Sequence, residues 1–174
     1  MSNRFKLDLE KAVEMILYVA ERLADPSFHK ISKILYFADL HHLSNYGRLA
    51  TGDSYIAMKH GPVPSGIHDI MKFVRNDRVG SFADHAKNAF AVVESYMVKP
   101  LRAPVTDLMS ESDIESLDFS IKFYGRMTFD QLTELSHDRA WHAAKDNDAI
   151  SLFEMILTLE NADELHEHIA NTAP

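Results

Sequence analysis

Ten histidines and no cysteine set the chemical possibilities of this chain. Without thiols it can form no disulfide, no thiolate zinc site and no Cys nucleophile, which fits a reducing compartment. Metal binding by His and Asp is therefore the first chemistry to weigh. His41 and His42 are adjacent and on a helix point about 100° apart, whereas Asp39 and His42 stand three residues apart and share a face. His60, Asp53, His137 and His142 could converge from elsewhere. No H-E-x-x-H or comparable ligand spacing supports such a set, so a metal-dependent enzyme using Asp39, His42 and His60 is an alternative and not the leading reading. Ser136-His137-Asp138 places the residue types of a hydrolytic triad side by side, but consecutive side chains diverge and triad members come from separate segments. His137 is better read as holding a turn between helices, with Trp141 packed beside it. Asp39 lies in a nearly all-apolar segment where an unpaired carboxylate is costly, and Arg48, Lys59 or Tyr46 is its expected partner. No phosphate-cradling glycine motif is present.

The elements that must position these residues are mostly helical. Leu9, Val13, Ile16, Leu17, Ala20 and Leu23 recur at helical spacing over residues 8–24, with Glu10, Lys11, Glu14, Glu21 and Arg22 elsewhere, before Asp25-Pro26 stops the pattern. The following segment carries apolar residues on two sides: Ile31, Ile34, Leu35 and Ala38 form one stripe, and Tyr36, Phe37, Leu40 and Leu43 cover much of the rest. It reads as a central helix with Gly47 in the left-handed position past its end. The chain then turns through Thr51-Gly52-Asp53 into "YIAM", an extended piece. Pro62 and Pro64 stiffen Gly61 to Val63 into an extended elbow, which opens into a helix carrying Ile67, Ile70, Met71 and Val74.

Residues 79–83 and 90–98 alternate weakly around a polar "DHAKNA" loop and predict a β-hairpin. Further on, Ser112 with Glu115 and Thr128 with Gln131 each have the form of a capping box; Met127 is placed to staple onto Leu132, and Gly125 ends the first of these helices. Two short helices are expected at 151–157 and 160–170. The fold class is mainly α with some β (α+β): a compact helical domain with a small β-hairpin and a partly winged-helix-like element order.

The 174 residues are expected to form a single domain, 1–174, large enough to bury roughly 70% of its unfolded surface. The start of the chain carries charges among its apolar residues and lacks the apolar core of a leader, and no stretch approaches a membrane span, so a cytoplasmic protein is expected. The net charge of −8 is uneven: residues 1–104 hold 14 Lys and Arg against 11 Asp and Glu, and residues 105–174 hold 4 against 15. Such a field attracts basic partners and repels phosphate backbones. A winged-helix DNA binder with residues 65–77 as recognition helix is a further alternative. Asp69 and Asp77 offset Lys72 and Arg75 there, and no basic face emerges, which argues against nucleic acid as a partner.

Two stretches carry a family resemblance. "KILYFADLHHLSNYGRLATGDSYIAMKHGPVPSGIHDIM" (33–71) and "MSESDIESLDFSIKFYGRMTFDQLTELSHDRAWHAA" (109–144) resemble the Panacea domain, the SocA-like antitoxin domain of bacterial and prophage toxin–antitoxin pairs. The resemblance implies a non-enzymatic antitoxin without cofactor that neutralises a cognate toxin by direct contact, with the toxin encoded by an adjacent gene. Some family members are instead linked to removal of the toxin by a protease. Others carry an extra N-terminal module, sometimes DNA-binding; with only a few residues ahead of the first helix, autoregulation of an operon is not carried over. The family's signature falls on Tyr36, Asp39, His42, Tyr46, Gly47, Arg48, Gly52, Asp53, Gly61, His137 and Trp141, which are expected to be structural. Tyr55, Met58, His60, Pro62 and Pro64 are the candidates for partner contact, because a pre-stiffened surface loses little entropy on association. The acidic C-terminal part would suit a basic toxin of the kind that handles RNA.

Overall fold

A computed structural model describes residues 6–171, so the first residues of the chain, considered above for a leader, lie outside it in part. Helix α1 (Leu9–Ala20) begins where the Asp8 carboxylate accepts the backbone N–H groups of Glu10 and Lys11. It ends sooner than the apolar pattern, because Arg22 and Leu23 donate three residues back and tighten the last turn. Val13, Ile16 and Leu17 are buried as their spacing requires, but Leu9 is exposed. Glu14, which the pattern places on the polar side, is buried and clamped by both Arg102 terminal nitrogens at 2.9 and 2.6 Å. That pair holds the segment after residue 100 against α1.

Helix α2 (Phe28–Tyr46) explains its own two-sided apolar composition. Ile31, Ile34, Leu35 and Ala38 enter one hydrophobic cluster with Val13, Ile16, Ile67, Met71, Phe90 and Leu117. Tyr36, Phe37 and Leu43 enter a second with Tyr55, Leu132, Ile150, Ile156 and Leu165. Each fully buried aliphatic side chain contributes about 1.5–3 kcal/mol, so a helix that serves both clusters is the natural centre. Its end is the expected one: Gly47 is left-handed (φ 68°) and its N–H bonds the Leu43 carbonyl at 3.0 Å.

Two short antiparallel hairpins follow. Strands β1 (Tyr55–Met58) and β2 (Gly61–Pro64) pair from Tyr55 with Pro64 to Met58 with Gly61, and helix α3 (Ser65–Arg75) starts directly after them. The other edge of β1 is covered by residues 147–150, where Ile150 N–H bonds the Tyr55 carbonyl and Ala57 N–H bonds that of Asp148. The second hairpin differs from the sequence expectation. Residues Ser81–Ala89 form helix α4, with Ala83, Ala86 and Ala89 inward at a spacing of three. The strands are β3 (Phe90–Val93) and β4 (Met97–Pro100), joined through Glu94, Ser95 and Tyr96. An apolar run as short as 79–83 fits either period, and burial of three alanines decided for the helix.

The last third is helical: α5 (Glu111–Tyr124), α6 (Phe129–Ser136), α7 (Arg139–Ala143), α8 (Leu152–Ile156) and α9 (Ala162–Asn171). The α5 cap is Ser110 with Asp113, two residues ahead of the predicted Ser112 with Glu115. Both pairs have the right spacing, but Asp113 is buried and also bound by Lys11 at 2.7 Å and Arg48 at 3.2 Å, which fixes the earlier start. The Thr128 and Gln131 box is present as predicted, and Met127 joins Leu132 in one cluster. Gly125 ends α5, in a right-handed conformation. Among the described residues no helix is long and apolar enough to cross a membrane.

Candidate functional site

Most of the signature residues gather around the β1–β2 hairpin. Asp39 is fully buried on α2, and its carboxylate accepts the Thr51 backbone N–H (2.9 Å), the Thr51 hydroxyl (2.5 Å) and the Tyr55 hydroxyl (2.7 Å). The expected partners Arg48, Lys59 and Tyr46 are engaged elsewhere or exposed; hydroxyls and an amide satisfy the carboxylate without a second buried charge. Burial raises the Asp39 pKa to about 6, with the hydrogen bonds from Thr51 and Tyr55 opposing that rise. The bonds tie β1 to the centre of the molecule.

Asp53 fixes the other end of the hairpin. Its carboxylate takes the N–H groups of Ser54 (2.7 Å), Gly66 (3.0 Å) and Ile67 (2.8 Å), capping α3 from outside the helix, whose own N-cap position is the capless Pro64. Gly52 provides the preceding left-handed turn (φ 67°). Gly61 has φ 101°, and a Cβ there would stand 2.3 Å from Ser136 Oγ and 2.8 Å from Lys33 Cε, so only glycine lets β2 lie against α2 and α6.

Lys33, from α2, is 1% exposed and lies under the hairpin, donating to the Pro62 carbonyl at 2.8 Å. Among the described residues it has no carboxylate partner, and burial pushes its amine down to about 7. The tip is gripped from both flanks. Trp141 Nε1–H donates to the Met58 carbonyl at 2.9 Å, and the rings of His137 and His29 lie against the backbone of Lys59 and His60. Burial lowers the His29 pKa to about 4 and that of His137 below its ordinary value, so both rings are neutral at pH 7. His137 stacks on Trp141 at 3.7 Å between ring centres, and its buried Nε2 has no hydrogen-bond partner. Tyr36 donates to Asp138 at 2.7 Å, while Asp138 caps the Trp141 N–H at 3.0 Å, so α2, α7 and the hairpin are linked in series.

The remaining signature residues form a second polar group at the far end of α2. His42 Nδ1–H donates to the Arg48 carbonyl (2.8 Å) and Nε2 accepts from Ser112 Oγ (3.0 Å). Arg48 reaches Asp113 and Ser110, and Tyr46 donates to Glu115 at 2.5 Å. Burial alone would raise the Asp113 pKa, but Lys11 and the Ser110 N–H hold it below the usual carboxylate range.

Asp39, His42 and His60 therefore go to three separate environments, and among the described residues no three His, Asp or Glu side chains are placed to hold a metal. Ser136, His137 and Asp138 likewise diverge, to the Thr133 carbonyl, the Trp141 ring and the Tyr36 hydroxyl. Of the five residues nominated for partner contact, Tyr55, Pro62 and Pro64 are buried, and Met58 and His60 are exposed. His60 meets Phe129 edge-on at 5.2 Å, and Phe129, 48% exposed, also stacks on His29 at 3.9 Å. The sequence reading missed Lys33, Thr51, His29 and Phe129. Lys33 on an apolar stripe was the available signal; the other three carry none until the chain is folded.

A family model, "Antitoxin SocA-like, Panacea domain", matches residues 31–142, from the end of the first turn of α2 to α7, and so spans both the hairpin and the helices that grip it. No curated protein and no solved structure matches the chain. The match covers well over half of the sequence: the chain belongs to the SocA-like Panacea antitoxin family.

Proposed function

We propose that this antitoxin neutralises a cognate protein toxin by stoichiometric contact, and that the contact centres on the tip of the β1–β2 hairpin. The observation that carries this reading is a division of labour around the hairpin. Asp39 through the Tyr55 hydroxyl, Asp53 at the entry to α3, Lys33 and Trp141 on the Pro62 and Met58 carbonyls, and Gly61 by its close approach hold the hairpin in place, while Met58, Lys59 and His60 stand exposed, His60 against Phe129. Tyr55, Pro62 and Pro64 act from below, as the stiffening of that tip. A loop already immobilised by its own fold loses little entropy on binding, and aromatic and Met side chains are the types that anchor protein interfaces. The role is that of a binding protein and not of an enzyme, exercised in the cytoplasm. The excess of acidic residues after position 104 supports a basic toxin, steered by charge and encoded next to the antitoxin. Delivery of the bound toxin to a protease is a separable further step.

Co-expression tests this directly. The neighbouring reading frame alone should arrest growth, and this chain should restore it and co-purify with the product. Met58→Asp or Phe129→Asp should abolish rescue while the chain still unfolds in one cooperative transition, with Phe129→Asp also giving up its stacking on His29. A harmless neighbour with no complex, or full rescue by both tip variants, overturns the reading.

A further inference from the structure

A cleft of about 790 Å³ opens between the α1–α2 turn and the α5–α6 turn. Arg22, Lys30, Lys122 and Arg126 line it with one carboxylate, Asp25. This is unexpected in a protein of net charge −8, in which residues 105–174 hold only four cations and two of them, Lys122 and Arg126, stand in this cleft. Lys30 is 5% exposed and donates to Asp25 at 2.6 Å and to the Gly125 carbonyl at 3.2 Å. Arg22 pairs with Glu21 and lies 3.5 Å over the Tyr18 ring. Lys122 and Arg126 are exposed and have no ion-pair partner among the described residues. After the internal pairs are matched, two cations remain uncompensated in one concavity. Like charges there repel one another, and the concave shape focuses their field on whatever enters.

The charge pattern around the cleft selects the kind of anion. Asp118 on α5, Asp130 on α6 and Glu21 after α1 occupy the elements that border it. An extended acidic peptide would have to leave the cleft across those carboxylates, whereas a compact anion would not. The volume is that of a small-molecule pocket. Two guanidinium groups offer the planar forks that match phosphate oxygens, and Ile121 and Met127 give the walls an apolar portion for an organic group. We propose that this cleft binds a compact phosphorylated small molecule, held by Arg22, Lys122 and Arg126 above Lys30. The site adjoins the hairpin tip through the start of α6, but neither its ligand nor its test requires a toxin.

The test is calorimetric titration of the full chain, at low and then moderate ionic strength, with inorganic phosphate, pyrophosphate, ATP and a short glutamate-rich peptide. Saturable one-to-one binding of pyrophosphate or ATP is expected, weakening with salt. Lys122→Ala/Arg126→Ala should reduce the affinity about tenfold or more, and Lys72→Ala/Arg75→Ala on α3 should not. Equal binding of pyrophosphate and ATP assigns recognition to the phosphates; tighter binding of ATP brings in the walls at Ile121 and Met127, and both results support the proposal. It is overturned if no phosphate compound binds at millimolar concentration, if the double variant binds undiminished, or if only the peptide binds.

Discussion

Among the described residues there are two antiparallel hairpins of four residues per strand, and they are secured by opposite means. Strands β1 and β2 are held by polar groups out of contact with water: Asp39 on Tyr55, Lys33 on the Pro62 carbonyl, Asp53 on the backbone entering α3. Strands β3 and β4 are held by apolar side chains, chiefly Phe90 and Val98, both buried in the larger cluster. Each has a third segment along an outer edge, residues 147–150 for the first and Pro26 to Phe28 for the second. Apolar packing tolerates small shifts because it is non-directional, whereas hydrogen bonds of 2.5 to 2.9 Å to a buried carboxylate do not. The first hairpin is thus fixed in position as well as stabilised, which is what a preformed contact surface requires.

The largest test of that difference is substitution of the anchors. Asp39→Ala leaves the Thr51 N–H, the Thr51 hydroxyl and the Tyr55 hydroxyl buried without an acceptor, and at 1–3 kcal/mol for each orphaned group it should destabilise the fold by about 5 kcal/mol. Phe90→Leu in the second hairpin keeps the chemistry and most of the volume and should cost less than about 1.5 kcal/mol. Urea unfolding of both variants measures the gap. Equal losses would mean that the polar pins add nothing beyond packing.

How far each hairpin can be read from the sequence follows from the same contrast. Asp39 stands out as a carboxylate in an apolar helix, so the existence of a buried partner was legible. Its identity was not, because a search for opposite charge passes over Thr51 and Tyr55, while Arg48 is drawn away to Asp113. The extended Pro62 to Pro64 segment was legible because proline acts locally. The start of α5 was ambiguous because Ser110-Asp113 and Ser112-Glu115 have the same spacing, and only the approach of Lys11 and Arg48 from distant segments separates them. In the second hairpin the alternation at 79–83 was too short to exclude a helix. Contact between His60 and Phe129 joins residues 69 positions apart and has no local signature.

A further effect is expected from pH, with a sign that distinguishes the two anchors of the first hairpin. Burial raises Asp39 from its ordinary 3.8 to about 6, so the folded state holds this proton more tightly than the unfolded chain. The stability it confers is complete below about pH 4 and is lost as pH rises through 6. Burial lowers Lys33 from 10.5 to about 7, so its contribution is complete above about 10.5 and is lost as pH falls through 7. At 1.4 kcal/mol per unit the effect is about 3 kcal/mol for Asp39 and about 5 kcal/mol for Lys33. On the acid side His29, lowered from 6.5 to about 4, opposes Asp39 because its contribution is lost as pH falls through 4, so the net change is the rise above pH 7. Lys33→Met should remove the rise on the alkaline side and leave the acid side unchanged. Urea midpoints across the range decide it, and a Lys33→Met profile that still climbs from pH 7 to 10 would assign the rise to another group.

The smallest expected effect lies in the turns. In the second hairpin Glu94 and Ser95 have φ of 52° and 67°, a left-handed pair made by residues that each carry a Cβ. Both are exposed, so a side chain removed there loses no packing. Ser95→Gly should therefore relieve local strain and stabilise the protein by about 0.5 kcal/mol, partly offset by the freer unfolded chain. The first hairpin has no such reserve. Its turn residues Lys59 and His60 have ordinary negative φ, the left-handed position is already Gly61, and His60→Gly would remove the ring that meets Phe129. The same exchange to glycine should raise the unfolding midpoint at residue 95 and leave it unchanged or lower at residue 60. A gain at both positions would show that the β1–β2 turn is strained as well, and that its exposed tip is less completely settled by the anchors beneath it than the hydrogen bonds imply.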